Sequence, residues 1–304
     1  MKWPEYYTVR KMIYLLLVLN FTAFATAVLR RGVCDACLDS ACYSKTQIFK
    51  DYPVSGQLAI DRKENLVYFH YEVSDSGRTV AFDLDDIRFL TIPDIEFSFA
   101  KTVDPTTGDV YIGGATGIYK YNPKTNVTSV YALNDKAIWN MQFKDVLYYT
   151  IVMNKGLNIY ENKRSRSVTA LNDFVVDDFI IDKKDNIYFM SNFTMYKLKK
   201  GDKYPSEFSN ILYSLSTDVH GNAYFVQRES RGLYKIDYGT GRLVEMGAFG
   251  SGIPLKSVFD RLNNVIYYDA ESSKLYYLVP NYAICKVKTE TDILGKLKMK
   301  VSQI

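Results

Sequence analysis

One pattern of apolar and polar positions recurs along the chain. An apolar strand ends near an aspartate, a polar turn follows, and an asparagine or aspartate leads into an apolar–tyrosine pair. Copies are Ile60-Asp61-Arg62-Lys63-Glu64-Asn65-Leu66-Val67-Tyr68, Val103-Asp104-Pro105-Thr106-Thr107-Gly108-Asp109-Val110-Tyr111 and Ile181-Asp182-Lys183-Lys184-Asp185-Asn186-Ile187-Tyr188. Two more are Thr217-Asp218-Val219-His220-Gly221-Asn222-Ala223-Tyr224 and Phe259-Asp260-Arg261-Leu262-Asn263-Asn264-Val265-Ile266-Tyr267, with a degenerate copy at Phe143-Lys144-Asp145-Val146-Leu147-Tyr148. The anchoring tyrosines fall at 68, 111, 148, 188, 224 and 267, at spacings of 43, 37, 40, 36 and 43. Beyond most of them lies a second short strand, such as Gly117-Ile118-Tyr119-Lys120-Tyr121 or Gly232-Leu233-Tyr234-Lys235-Ile236, which runs into a turn rich in Asn, Pro, Gly or Thr.

Several short strands in a repeat of roughly 40 residues predict the blades of a propeller. A lone four-stranded blade leaves both faces bare, and radial stacking covers them while exposing only short edges. Six copies predict an all-β, six-bladed β-propeller over residues 57–285. The innermost strand of each blade should be the segment just before its turn: Gln57–Ile60, Phe97–Val103, Ile138–Phe143, Asp177–Ile181, Leu212–Thr217 and Leu255–Phe259. Composition agrees, since 26 tyrosines and 17 phenylalanines suit pleated, half-buried surfaces.

The ends differ from this repeat. Residues 1–27 carry Lys2, Arg10 and Lys11, then the apolar run Met12 to Ala27, then Ala25-Thr26-Ala27, the layout of a cleaved secretory signal. The run is shorter than the roughly 20 apolar residues a spanning helix needs, so no membrane attachment is expected after cleavage. Of 38 basic and 34 acidic residues, the signal takes three and one, leaving 35 and 33. A charge so near zero gives no electrostatic reason to bind nucleic acid. Residues 28–56 form an N-terminal cysteine-containing segment, and residues 286–304 a lysine-rich tail.

Secretion changes how the four cysteines read. Cys34, Cys37, Cys42 and Cys285 form an even set expected as disulfides, and each of the three possible connectivities joins an N-terminal cysteine to Cys285. The ring is therefore expected to be closed by an N-to-C-terminal disulfide. The sequons at Asn126-Val127-Thr128 and Asn192-Phe193-Thr194 fall at expected turns, where glycans would project into solvent.

Chemistry is sparse. Neither His70 nor His220 sits in a Ser-His-Asp or Cys-His arrangement, and two histidines make no metal cluster. A channel cation of the kind bound by lactonase-like hydrolases would find Asn140, Asp177 and Asp178, but no glutamate in Gln57–Ile60. No cofactor and no catalytic residue are expected, which points to a binding protein. Trp139 stands on an innermost strand and is the sole tryptophan left after signal cleavage, with Asn140 and Gln142 beside it. It is the leading candidate for an aromatic platform. Phe99, Lys101, Asp178, Tyr213 and Lys256 are further ligand-binding candidates by position.

The run Asp104 to Tyr121, with Val110-Tyr111-Ile112-Gly113-Gly114 and Gly117-Ile118-Tyr119, is followed by Ile138-Trp139-Asn140-Met141. Together with Leu278-Val279-Pro280-Asn281 ahead of Cys285, it resembles the ommochrome-binding proteins of moths and butterflies. That resemblance implies an insect haemolymph carrier, expected as a monomer. Its ligand would be a flat, partly anionic ommochrome pigment or tryptophan-derived precursor. Trp139 would meet the ring system, and Lys101 or Lys256 a carboxylate. Three N-terminal cysteines and the lysine-rich tail depart from that pattern.

Overall fold

A computed structural model describes residues 34–73, 76–95 and 97–285. The expected signal peptide and the lysine-rich tail lie outside the described residues.

Four blades are four-stranded antiparallel sheets formed by consecutive strands. The first runs Val54–Asp61, Leu66–Val73, Ser76–Asp83, Arg88–Thr91, and the second Ser98–Val103, Val110–Gly114, Gly117–Asn122, Val127–Ala132. The third runs Ile138–Lys144, Val146–Ile151, Asn158–Glu161, Arg164–Ser167, and the fourth Asp178–Ile181, Ile187–Ser191, Thr194–Leu198, Ser206–Ser209. The fifth has Leu212–Thr217, Ala223–Gln227, Gly232–Ile236 and Leu243–Phe249. The innermost strands match the segments expected from sequence, and each neighbours the next around the ring.

The sixth blade is composite. Pro254–Phe259, Val265–Asp269 and Lys274–Ile284 supply its inner three strands, and Ala41–Phe49, from the far end of the chain, supplies the outermost. Ala36–Leu38 then pairs with both Ala41–Phe49 and Leu243–Phe249, fusing blades five and six into one nine-stranded sheet. Gly247 (φ 131°) makes that join possible, because a Cβ there would lie 1.9 Å from the Cys37 carbonyl oxygen. The segment before residue 57 thus contributes three strands or parts of strands. An unpaired edge in the last blade would otherwise be exposed, and Ala41–Phe49 covers it.

Disulfides Cys34–Cys42 and Cys37–Cys285 fix this closure, spanning 8 and 248 residues. The expected link between the two ends is present, and it is made by Cys37.

Alternating side chains place each blade's two faces in different cores, one at every interface. Tyr68, Tyr111 and Tyr188 each point toward the following blade, packing with Tyr121, Met141 and Phe225 respectively. Tyr224 and Tyr267 share the core at the junction of blades five and six with Phe249 and Leu278. Phe69, Phe82, Ile266 and Leu275 close the ring between blades six and one.

The recurring turn has one physical cause. Asp182, Asp218 and Asp260 each accept backbone N–H groups two and four residues on through Oδ1, while Oδ2 takes the side-chain amide of Asn186, Asn222 or Asn264. Such Asx turns reverse the chain and satisfy the buried carboxylate together. The degenerate third copy lacks the device and turns at Asp145 (φ 60°) instead.

Candidate functional site

Bulges shape the upper mouth of the channel. The innermost strands of blades two, three, five and six each slip register one residue after their start, leaving Phe99, Trp139, Tyr213 and Leu255 unpaired. A bulge re-aims the side chain it releases. Phe99, Trp139 and Tyr213 therefore occupy equivalent positions in three blades, which no sequence spacing reveals.

Their surroundings separate them. Trp139 remains 44% exposed, its indole N–H donates to the Asp177 carbonyl at 2.7 Å, and its ring lies 6.0 Å from Phe99 at a 37° tilt. Tyr213 instead packs against the core between blades five and six, with the Arg228 guanidinium 5.8 Å from its ring.

One residue deeper, side chains cross between blades. The Asn140 amide donates to Asp178 Oδ1, the Phe179 N–H donates to the same oxygen at 3.0 Å, and Lys256 Nζ donates to Asp178 Oδ2 at 2.5 Å. Trp139 and Lys256, from blades three and six, are thus joined through consecutive residues of blade four. Gln57 reaches from blade one to donate to the Met141 carbonyl at 2.7 Å, and its Oε1 accepts from the Lys101 and Met141 N–H groups. Gln142, expected beside Trp139 as a ligand contact, spends its amide on both backbone groups of Ile181. It holds blade three to blade four.

Below this layer the channel encloses a cavity of about 370 Å³ bordered by Gln57, Lys101, Gln142, Asp178, Ser216 and Lys256. Trp139, Phe99, Asn140 and Tyr213 stand outside that wall. Arg62 closes on the lower end, donating to the Phe259 and Thr217 carbonyls at 2.8 and 3.0 Å. Burial pushes its pKa down. Around the cavity, Arg62, Lys63 and Lys256 face only Asp61 and Asp178. Gln57 and Arg62 were not singled out from sequence, because ordinary strand and turn residues acquire these roles only once the ring closes.

Lys101 is fully buried. Its ammonium donates to the Ser98 carbonyl at 3.1 Å and has no carboxylate partner among the described residues, so burial lowers its pKa to about 7. His70 lies nearby with Nδ1 3.1 Å from Thr79 Oγ1, and burial, helped by Lys101, lowers its pKa to about 4. Both belong to the packing between blades one and two. Asn126 and Asn192 are exposed in turns.

No family model matches the chain. A curated relative is 22% identical over 204 residues, covering 53% of this chain and 74% of its own. That relative is the ommochrome-binding protein of Manduca sexta. Among solved structures, a gluconolactonase of Xanthomonas campestris has a TM-score of 0.62 at 8% identity, covering 83% of this chain and 96% of its own. A streptogramin B lyase has a TM-score of 0.54 at 13% identity, covering 79% and 98%. These likenesses establish the propeller fold.

The channel residues fit a divalent cation poorly. Asp178, the one carboxylate at this level of the wall, already bonds an ammonium, an amide and a backbone N–H. Elsewhere among the described residues, the grouping of candidate ligands is Cys34, Cys42 and Cys285, whose sulfurs are in disulfides. No described helix is long and apolar enough to cross a membrane.

Proposed function

We propose that this protein is a secreted, non-enzymatic carrier that binds a flat aromatic anion at the propeller channel, of the ommochrome or tryptophan-metabolite type. The observation that carries the reading is the continuous set of contacts from Trp139 through Asp177, Asp178 and Asn140 to Lys256. It sets an exposed aromatic surface beside a channel whose basic residues outnumber its acidic ones. Aromatic rings stack on Trp139 and Phe99, and a ligand carboxylate exchanges with Asp178 for the Lys256 ammonium. Asp178 tolerates that exchange because Asn140 and Phe179 still donate to it. Similarity to a protein named for binding ommochromes supports the ligand class.

A lactonase-like reading draws on the fold neighbours, but Lys256 stands where a cation would need Asp178. Protein binding through the loop face is the remaining alternative.

The test is a fluorescence titration of the secreted protein with 3-hydroxykynurenine and xanthommatin, corrected for ligand absorption, with Trp139→Phe as the control. Equilibrium dialysis runs in parallel. Saturable quenching of Trp139 without product formation is expected. Absence of uptake in dialysis would remove the pigment assignment and leave only the propeller.

A further inference from the structure

A second concave surface lies on the opposite face of the ring, around the lower turns of blades four and five. It is an open groove of about 520 Å³ whose lining includes Lys183, His220, Lys235, Tyr238, Val244 and Met246. That size falls within the range of small-molecule sites.

Its walls are held by the fold. The Lys183 N–H donates to the Gly221 carbonyl at 2.7 Å, locking the turn of blade four onto that of blade five. Lys184 Nζ donates to the Tyr238 carbonyl at 3.1 Å, tying in the outer turn. The Tyr238 hydroxyl accepts the Ala223 N–H at 3.1 Å, which fixes the ring.

The ammonium groups of Lys183 and Lys235, by contrast, donate no hydrogen bond to a described residue. Lys183 and Lys184 lie 4.6 and 5.2 Å from the Tyr238 ring centre, and Lys235 lies 5.8 Å from that of Tyr224. None of the three forms an ion pair with a described residue. The one carboxylate on the groove, Asp237, is engaged by its own turn, accepting from Gly239 N–H at 2.9 Å and Thr240 Oγ1 at 2.6 Å. Beside the lysines, Val244 is 47% exposed and Met246 half-buried. Aromatic rings orient the ammonium groups without neutralising them, and an apolar floor adjoins them.

We infer that this groove is a second binding site for a small amphiphilic anion, an apolar body bearing one sulfonate, sulfate or carboxylate. The anionic group pairs with Lys183 and Lys235, and the body covers Val244 and Met246. It is separate from the channel and does not depend on what the channel carries.

Anilinonaphthalene sulfonate supplies both features and reports its own binding by fluorescence. Titration of wild-type protein should show a saturable site, and the Lys183→Gln/Lys235→Gln variant should weaken it roughly tenfold, the loss of two charge-assisted contacts. Uncharged N-phenylnaphthylamine should bind that site more weakly and be indifferent to the substitutions. Lys183→Gln alone, at an exposed position, should give an intermediate loss and guards against an effect on folding. A Lys256→Met titration identifies any signal arising from the channel. The inference is overturned if the double variant titrates as wild type does, if the neutral probe binds equally well, or if the wild type gives no saturable signal.

Discussion

Lys101 shows how a single residue is read differently by sequence and by structure. Its place on an innermost strand made it a candidate carboxylate receptor, yet its side chain is sealed between blades with one carbonyl for a partner. Its folded pKa of about 7 lies below the roughly 10.4 of an unfolded lysine. Below about pH 7 both states hold the proton, and burying the charge costs stability in full. As pH rises from about 7 toward 10, the folded protein releases its proton first and the cost fades. Stability linked to this residue therefore increases with pH across that window. Lys101→Met should stabilise the protein near pH 6, by at most about 5 kcal/mol, and change it little near pH 10. Urea unfolding at the two pH values checks this, and equal effects at both would show that burial does not lower the pKa of the amine. Lys256 has the opposite character, half-exposed and paired, and is the better receptor. Lys256→Met should weaken binding of a carboxylate-bearing aromatic ligand about tenfold or more while leaving the melting temperature nearly unchanged. Dialysis and a thermal melt separate the two effects.

Among elements, the recurring turn was the most legible feature of the sequence, and the structure supplies its mechanism. Asp218 accepts three hydrogen bonds, from His220 N–H, Asn222 N–H and the Asn222 amide, and is almost wholly buried. Asp237 makes a similar turn at the outer edge, where water can replace every bond. Asp218→Ala should therefore cost about 2–4 kcal/mol and Asp237→Ala less than about 1, measured by denaturant unfolding. Comparable losses would mean that burial does not govern these turns. Other elements resisted reading for physical reasons. The bulges that release Phe99, Trp139 and Tyr213 follow from how neighbouring blades pack, and periodicity within one strand carries no trace of them. Ala41–Phe49 lacks the repeat's turn signal because its hairpin partner, Ala36–Leu38, is a three-residue strand outside the repeat. Its other partner, Lys274–Ile284, lies at the other end of the chain, so a local pattern assigns it to a separate leading segment.

On the scale of the whole molecule, ring closure is where sequence and structure meet most closely. Cysteine counting alone required a bond from the N-terminal cluster to Cys285, and the repeat count required a clasp at that place. What neither provided was the second clasp of hydrogen bonds, in which Ala41–Phe49 completes blade six and Ala36–Leu38 bridges it to blade five. The two disulfides act on this arrangement unequally. Cys37–Cys285 closes a loop of 248 residues and Cys34–Cys42 one of 8, for which chain entropy gives about 5 and about 2.5 kcal/mol respectively. Cys37→Ala/Cys285→Ala should accordingly destabilise the protein more than Cys34→Ala/Cys42→Ala. Both should still fold, because the strand pairing and the cores between blades five, six and one persist without sulfur. The expected outcome in denaturant unfolding is a lower midpoint for the long-range pair with single-step cooperativity retained. If removing Cys37 and Cys285 instead split the transition in two, the hydrogen-bonded clasp would be insufficient to hold the ring. The disulfide would then be the joint on which the channel and its mouth depend.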